Sequence, residues 1–203
     1  MTTVAQAITL TGSIATVTEY LGFAINSILY QRGVYPATDF TQVVSYGGLP
    51  LMITTDEALT QYLRDVLVQI ADWIGRRDCR RVVLLLTEAS SDAVLERWDF
   101  HIEHEAGEEG EAARGRTARK TEELVRREVQ AIMRQITSCA SFLPLMTGPC
   151  AFDVLVYTAM SATAPAETWE ETAPRQLHNG SVVKLKAFDT THHWVNTSVA
   201  YRS

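Results

Sequence analysis

The stretch NSILYQRGVYP, residues 26–36, gathers polar and aromatic side chains around one glycine, and it is the first candidate for a site of chemistry. It carries Arg32 between two tyrosines, Tyr30 and Tyr35. Neither a histidine nor a carboxylate lies near it in the sequence to act as a general base. The stretch also ends an apolar helical pattern, and Gly33 suits the left-handed residue that follows a helix. We therefore interpret its polar groups as helix-end structure and not as a catalytic site.

Two histidine pairs are candidates for a metal site. His101 and His104 lie among glutamates, and His192 is followed directly by His193. Residues that are three apart or adjacent on a strand point to opposite faces of the sheet, so neither pair converges on one ion. A third ligand at a useful spacing does not follow. The sequence therefore predicts no metal site.

Other signatures of catalysis are missing from the sequence. It has no Gly-x-Ser-x-Gly nucleophile motif, and the turn at residues 46–48 (YGG) lacks the lysine and helix of a phosphate-binding loop. Cys79, Cys139 and Cys150 lie in predicted helices or strands, as packing thiols do. The glutamates at 170–171 lie in an irregular segment that provides no rigid support for an acid–base pair. We predict that the chain is not an enzyme and uses no cofactor.

Composition limits the remaining classes of function. The chain has 203 residues, 46% of them hydrophobic, which is enough for one well-packed domain. A net charge of −6 argues against a nucleic-acid surface. No apolar run approaches the ~18 residues of a membrane span, and the start lacks the pattern of a signal peptide. An odd number of well-separated cysteines indicates reduced thiols in the cytosol or nucleus.

Hydrophobic periodicity predicts three helices and a set of strands. The helices are expected over about 14–31, from a Thr54-x-x-Glu57 capping box to about 75, and over about 121–143. The expected strands are 49–55, 80–87, 94–103, 150–158, 181–191 and 194–202. The second and third of these strands should pair as a hairpin, and so should the last two.

Two segments do not follow either period. Residues 103–116 contain five glutamates, three glycines and no large apolar residue, so they predict a mobile surface loop. Residues 161–174 (SATAPAETWEETAP) form a long irregular arm before the terminal hairpin. Such arms in compact domains are usually functional or disordered.

Several motifs occur together in one order along the chain, and each alone is weak. They are INSILYQRGVYP, LMITTDEAL, DW at 72–73, VLERWDFHIE, MRQITS, SFLPL, CAFDVLVYT, TWEE and VNTSVAY. In this order, from about residue 8 to residue 201, the chain resembles the HORMA-domain family, and within it the members that act in the spindle checkpoint.

The resemblance implies an α+β fold in which three helices pack on a mainly antiparallel sheet. Residues 1–203 would form a single HORMA domain. Residues 159–203 would include a mobile "safety belt" and the C-terminal hairpin, and the belt would wrap over a bound peptide. The irregular arm and the terminal hairpin stand where the family has these parts.

The resemblance also implies how a partner is held. A peptide would add as a strand to the free edge of Cys150–Thr158 and be covered by the belt, which would prevent its escape. The implied peptide-binding residues are Phe152, Val154, Leu155, Val156 and Tyr157, and those of the belt are Trp169, Glu170 and Glu171. The family switches between an open fold, whose terminal hairpin covers the peptide edge, and a closed fold, whose hairpin lies on the other side of the sheet.

The partners implied by the resemblance belong to the checkpoint. They are a kinetochore coiled-coil protein, the activator subunit of the anaphase-promoting complex, a kinase-like (pseudokinase) member of the checkpoint complex, and a HORMA-type adaptor that recruits an AAA+ ATPase. Clamping the activator would inhibit the anaphase-promoting complex and delay anaphase. The implied locations are the nucleus, the kinetochore and the cytoplasm, with no nucleic-acid or membrane partner.

The family also self-associates, open form with closed form. Arg134, Gln135 and Phe142 match the residues of that interface, which the adaptor shares, whereas Lys186 replaces a family arginine. Lysine lacks the planar fork of arginine, so self-association there is expected to be weaker. Thr197 matches a serine whose phosphorylation biases the fold in some relatives, which makes it a candidate phosphorylation site.

Two other classes of function stay open. Another HORMA function, such as a translesion-polymerase accessory subunit or a meiotic axis protein, would use the same belt for a different peptide. The motifs TWEE and MRQITS favour the checkpoint. An enzyme is the third class, and the sequence offers no site for it.

Overall fold

A computed structural model describes residues 8–104, 120–177 and 179–202 of the chain. Within these residues the helices are α1 (Leu10–Gln31), α2 (Glu57–Gly75) and α3 (Glu122–Thr137). The strands are β1 (Phe40–Ser45), β2 (Leu49–Thr54), β3 (Cys79–Glu88), β4 (Val94–His104), β5 (Cys150–Thr158), β6 (Ser181–Asp189) and β7 (His193–Tyr201).

Helix α1 lies at the centre of the core, between the other two helices and against β7. The Thr9 hydroxyl caps its first turn and accepts a hydrogen bond from the Gly12 N–H at 3.1 Å. Most of its apolar side chains are fully buried. The predicted helix over 14–31 is confirmed at its end, and it begins earlier, at Leu10.

Helix α2 is capped by a residue that differs from the predicted one. The Asp56 carboxylate accepts from the Leu59 N–H at 2.7 Å, so the helix begins at Glu57. The predicted capping box of Thr54 and Glu57 is wrong, because the Thr54 hydroxyl accepts from the Asp56 N–H instead, at 3.1 Å. Aspartate and threonine are both good N-cap residues. Because Thr54, Thr55 and Asp56 are consecutive, residue type alone does not show which of them precedes the helix.

Helix α3 ends at Thr137, so the predicted extension to about residue 143 is wrong. The hydroxyls of Thr137 and Ser138 donate to carbonyl oxygens of the preceding turn, each at 3.1 Å. Such local bonds compete with helix continuation. The chain then tightens into the short 3₁₀ helix Cys139–Ser141.

The main sheet has five antiparallel strands in the order β5-β3-β4-β7-β6. The continuous apolar run of β3 is buried between two neighbours, as predicted, and the β3–β4 hairpin is confirmed. Asp92 in its turn has a φ of 57°, in the left-handed region that aspartate tolerates. Strands β1 and β2 form a separate hairpin, and the sequence analysis did not predict β1.

The helices cover the face of the sheet that carries the largest buried side chains. Tyr20 of α1 meets Phe188 of β6 and Phe100 of β4 edge to face, with ring centroids 5.0 and 6.0 Å apart. These rings join the first helix, the middle of the sheet and the terminal hairpin. The hairpin of β6 and β7 pairs with β4 through Glu96–His104, so it lies on the opposite side of the sheet from β5.

Two further predictions concern segments outside the core. Glu103 and His104 of the predicted loop at 103–116 continue β4, and residues 105–116 lie outside the described residues. None of the helices in the described part of the chain is long and apolar enough to cross a membrane.

Candidate peptide-binding site

Strand β5 forms one margin of the main sheet. It pairs with β3 along one side, from Cys79 opposite Thr158 to Glu88 opposite Cys150. In the described ranges, no strand pairs with its other side. A nine-residue strand with a free side presents a row of backbone N–H and C=O groups to an incoming extended chain.

One face of β5 packs toward the helices. Val154 is buried in the core, and Phe152 and Val156 are partly buried against it. The Phe152 ring lies 5.7 Å from Tyr62 of α2 and 6.1 Å from Tyr35, edge to face in both cases. The ring of Tyr35, from the stretch at residues 26–36, therefore helps to shape the apolar side of this margin.

The other face of β5 carries Leu155 and Tyr157. The guanidinium groups of Arg97 and Arg81 lie 5.6 and 5.7 Å from the centroid of the Tyr157 ring. Cations at this distance are attracted by the ring face. Asp99 in turn accepts two hydrogen bonds from Arg97, each at 2.9 Å. The Tyr157 ring is thus held against the sheet.

The belt, which we define as residues 159–180, returns along the free side of β5. It leaves the strand where the Ala159 N–H donates to the Asp78 carbonyl at 2.8 Å. The indole N–H of Trp73 then donates to the Thr163 carbonyl at 3.1 Å, and the Trp73 and Trp169 rings meet edge to face at 4.8 Å. By residue 175 the belt has reached the beginning of β5.

Two cavities lie between β5 and the belt. One of 560 Å³ is lined by α2, by Asp153–Leu155 of β5 and by the belt from Thr168 to Arg175. The other, of 690 Å³, lies between Val154–Thr158 and the belt from Ala162 to Pro174. Both volumes are in the range of ligand sites, and both share Trp169 and Glu170. The belt and the free strand therefore line a partly open channel along the sheet margin.

This geometry can be compared with known proteins. The sequence profile of the HORMA domain matches residues 13–193. The chain belongs to the HORMA domain family. The HORMA chain is 44% identical to the mitotic spindle assembly checkpoint protein MAD2A of Dictyostelium discoideum, over 96% of this chain and 93% of that protein. It is 42% identical to MAD2A of Homo sapiens, over 97% and 94% of the two chains.

Solved structures agree with this placement. A chain in the crystal structure of the mitotic checkpoint complex matches this HORMA domain with a TM-score of 0.83 at 35% identity, covering 95% of this chain and 99% of that chain. HTP-2 of C. elegans bound to a HIM-3 closure motif matches with a TM-score of 0.82 at 14% identity, covering 97% and 93%, which shows the shared fold alone. The predicted α+β HORMA fold and the function in the spindle assembly checkpoint are confirmed.

The residues predicted for self-association share an exposed surface of the HORMA domain. Arg134 lies on the exposed side of α3, and the Gln135 amide oxygen accepts from the Lys186 backbone N–H of β6 at 2.8 Å. Phe142, just after α3, is 43% exposed. The structure therefore brings α3 and β6 together at one face, and the role of this face stays a prediction.

Thr197, the candidate phosphorylation site, lies in the core side of β7. It is 2% exposed, and its hydroxyl is 2.7 Å from that of Tyr20. Burial raises the pKa of Tyr20 far above its usual range. A kinase can reach Thr197 only when the hairpin has left this position, so its modification stays a prediction about another state.

The stretch at residues 26–36 has an acidic partner that was not predicted from the sequence. Arg32 Nε donates to Glu96 Oε1 at 2.8 Å, and both side chains are only 3% exposed. The Trp98 indole N–H donates to the other Glu96 oxygen at 3.0 Å, and Arg32 also donates to the Pro144 carbonyl. Burial raises the pKa of Glu96, and Arg32 opposes that shift. The polar groups are structural, as interpreted, but they are held by a buried ion pair.

One sequence signal could have identified this pair. Glu96 follows the same alternation as Trp98 and Phe100, so it is a carboxylate on the buried face of β4. A carboxylate at such a position requires a cation or hydrogen-bond donors. Arg32, at the end of the most apolar helix, is the cation that the sequence offers to such a carboxylate.

The cysteines and histidines behave as structural groups in the described residues. Burial raises the pKa of Cys79 to about 12 and that of Cys139 to about 11, so both stay thiols at neutral pH. His104 Nε2 donates to the Cys79 carbonyl at 2.8 Å. Within the part of the chain that the structure describes, no three His, Cys, Asp or Glu side chains are grouped to hold a metal ion.

Proposed function

We propose that this HORMA protein acts in the spindle assembly checkpoint by clamping an extended peptide between β5 and the belt. The observation that carries the proposal is the channel itself. A free strand margin, two cavities along it and a chain segment outside them provide the parts of a strand-addition site. The protein acts by binding and not by catalysis.

The peptide is held by two kinds of contact. Backbone hydrogen bonds to β5 set its register, and each contributes only ~1 kcal/mol net. Side chains of the peptide then enter the cavities on alternate sides of the strand. Phe152, Val154 and Val156 shape the side toward the helices, and Leu155 and Tyr157 shape the other side. Trp169, Glu170 and Glu171 close the channel from outside.

The belt determines how slowly the peptide leaves. Pairing with a single strand gives modest affinity and quick release, whereas a covered peptide leaves only after part of the cover opens. The hairpin beside β4 corresponds to the closed arrangement implied by the family. In the open arrangement the same hairpin covers β5, so peptide binding and hairpin position exclude each other.

The partners follow from the family and from the solved relatives. A relative of this chain is part of the mitotic checkpoint complex, and another HORMA domain binds a closure motif. The proposed peptides belong to a kinetochore coiled-coil protein and to the activator subunit of the anaphase-promoting complex. A pseudokinase member of the checkpoint complex and a HORMA-type adaptor with its AAA+ ATPase complete the set. The proposed places of action are the kinetochore, the cytoplasm and the nucleus.

The face of α3 and β6 serves self-association in this proposal. Arg134, Gln135 and Phe142 supply the contact, with Lys186 at its margin. Phosphorylation of Thr197 would place a charge in the core of the closed arrangement and so favour the open one.

A pulldown from cell extracts tests the clamp. Wild-type protein, Trp169→Ala and Val182→Ala are used as baits in extracts of mitotically arrested cells. Trp169 closes both cavities, whereas Val182 on β6 is 62% exposed and lies outside the channel. We expect the wild type and Val182→Ala to capture the coiled-coil protein and the activator, and Trp169→Ala to capture much less of both.

Hydrogen exchange locates the bound peptide. Adding a purified fragment of the coiled-coil partner should protect backbone amides of β5 and of the belt. Protection confined to α3 and β6 would overturn the clamp, and so would a wild-type bait that captures no checkpoint protein.

A further inference from the structure

One belt residue, Arg175, is held by two separate parts of the sheet. Its Nη1 lies 2.9 Å from Asp153 Oδ2 on β5. Its Nη2 lies 2.7 Å from Asp92 Oδ1 and donates to the Asp92 carbonyl at 2.7 Å, in the turn between β3 and β4. A single guanidinium therefore ties the belt to the strand that it covers and to the neighbouring turn.

The backbone of the same residue is held as well. Arg97 Nη1 of β4 donates to the Arg175 carbonyl at 2.5 Å. Arg97 is fixed by Asp99 and lies against the Tyr157 ring, so the donor is oriented before the belt arrives. Contacts from β4, from β5 and from the turn between β3 and β4 thus converge on one position of the belt.

The rest of the belt is attached at its other end. Trp73 holds Thr163 and Trp169 near the end of β5, and residues 170–174 between these contacts and Arg175 are exposed. The side of the channel near the beginning of β5 is therefore closed by Arg175.

We infer that Arg175 is a latch, a positioning residue that controls release of the clamped peptide. The inference rests on the proposed peptide clamp. When the contacts of Arg175 break, residues 170–175 move away from β5 and widen the channel, so that a short peptide slips out lengthwise while the terminal hairpin stays paired with β4. Release then has a local route that does not require the hairpin to unfold.

The chemistry of the latch makes it sensitive to salt. Arg175 is 24% exposed, and Asp92 and Asp153 are 74% and 51% exposed, so ions reach the pairs. A guanidinium reaches Asp153 with one nitrogen and Asp92 with the other, and the single nitrogen of an ammonium group does not reproduce this spread. Raising salt from about 0.1 M to about 0.5 M should therefore speed release from the wild type.

The main test measures the rate at which a fluorescent fragment of the coiled-coil partner leaves the full-length protein. We expect Arg175→Gln to release it about 3- to 10-fold faster, with a weaker salt dependence than the wild type. Asp92→Asn, which leaves β5 unchanged, should give a smaller acceleration, and Arg175→Lys an intermediate one. Arg126→Gln is the control, since it breaks an exposed pair with Glu122 on α3, far from the belt.

A second measurement needs no peptide. Cleavage of the free protein after Glu170 and Glu171 by a glutamate-specific protease should be about 3- to 10-fold faster in Arg175→Gln than in the wild type and in Arg126→Gln, because a protease needs the belt lifted from the domain. Faster cleavage in a protein that binds no fragment would show that Arg175 holds the belt, but it would reject the clamp and with it the role of Arg175 in release. If the fragment binds and its release rate is unchanged in Arg175→Gln, the latch is overturned while the clamp stands. Unchanged cleavage overturns the latch as well.

Discussion

The terminal hairpin and the belt are adjacent in the chain, yet they are attached to the domain in different ways. The hairpin is paired with β4 along Glu96–His104, and Phe188, Val195 and Val199 are fully buried beneath it. The belt is mostly exposed and is held near two positions, Trp73 and Arg175. The hairpin is part of the core, whereas the belt lies on the surface of the domain and is held there at a few positions.

This difference separates two processes that a peptide clamp needs. Moving the hairpin breaks a continuous ladder and uncovers core side chains, so its barrier is distributed over many contacts. Opening the belt breaks a few polar contacts near one residue. A change of fold and the exit of a bound peptide can therefore have different rates and different sensitivities to mutation.

The largest expected effect comes from the core side of the hairpin. Phe188→Ala should lower the free energy of unfolding by about 3–5 kcal/mol, since the ring is buried against Tyr20. Urea unfolding measures the loss. Val182→Ala on the same strand should change stability by less than ~0.5 kcal/mol. Similar losses at both positions would mean that the hairpin is not anchored in the core.

The buried ion pair at the end of the β4–β7 ladder is the next test. Glu96 lies opposite Tyr201, and Arg32→Gln leaves its carboxylate without a buried cation. We expect a loss of about 3 kcal/mol in urea unfolding. Arg76→Gln, which breaks the exposed pair with Asp72, should cost less than ~1 kcal/mol. Equal costs would contradict the burial of the pair.

Acidification should destabilise the side of the sheet that carries the terminal hairpin. His193 is 1% exposed, with Nδ1 2.5 Å from the Ser13 hydroxyl. Burial, aided by His104, His192 and Arg77, lowers its pKa to about 4. The unfolded chain binds this proton below about pH 6.5, so stability is complete above that value and falls by about 3 kcal/mol as the pH approaches 4.

Urea unfolding between pH 7.5 and pH 4.5 measures this loss. His193→Gln should remove most of the slope, because glutamine does not titrate. His101→Gln, on a half-exposed side chain of β4, should keep it. A slope that survives in His193→Gln would assign the effect to another group.

The smallest effect is expected for a single buried hydrogen bond. Tyr20→Phe removes the bond to the Thr197 hydroxyl and should cost about 1 kcal/mol. Thr197→Val removes the same bond, and the double variant shows whether the two losses are shared. Fully additive losses would mean that the hydroxyls do not act as a pair.

The elements with a regular hydrophobic period could be predicted from the sequence. Helix α1, the β3–β4 hairpin and the terminal hairpin follow from apolar periods and were confirmed. Strand β1 was missed because FTQVVS has only one buried residue, so it lacks the alternation of a half-buried strand. The end of α3 depends on hydroxyl groups whose local bonds leave no periodic signal.

The site was predicted through a resemblance, and its details depend on contacts between distant residues. The free side of β5 follows from strand order, which one sequence does not define. Arg32 and Glu96 are far apart in the chain, and so are Arg175 and Asp92. Arg175 lies just after the aperiodic arm, where no pattern marks one residue as an anchor. The sequence therefore predicts strand β5 but not the contacts that hold the belt beside it.

The path of the belt from β5 to the hairpin has a further consequence. The belt joins β5 to β6, and these two strands are connected through β3, β4 and β7 of the sheet, so the whole forms a closed ring that is part covalent and part hydrogen-bonded. A long partner with bulky folded regions on both sides of its motif cannot slide lengthwise out of such a ring. For that partner the lifetime of the complex is the lifetime of the ring, however weak the contacts inside it.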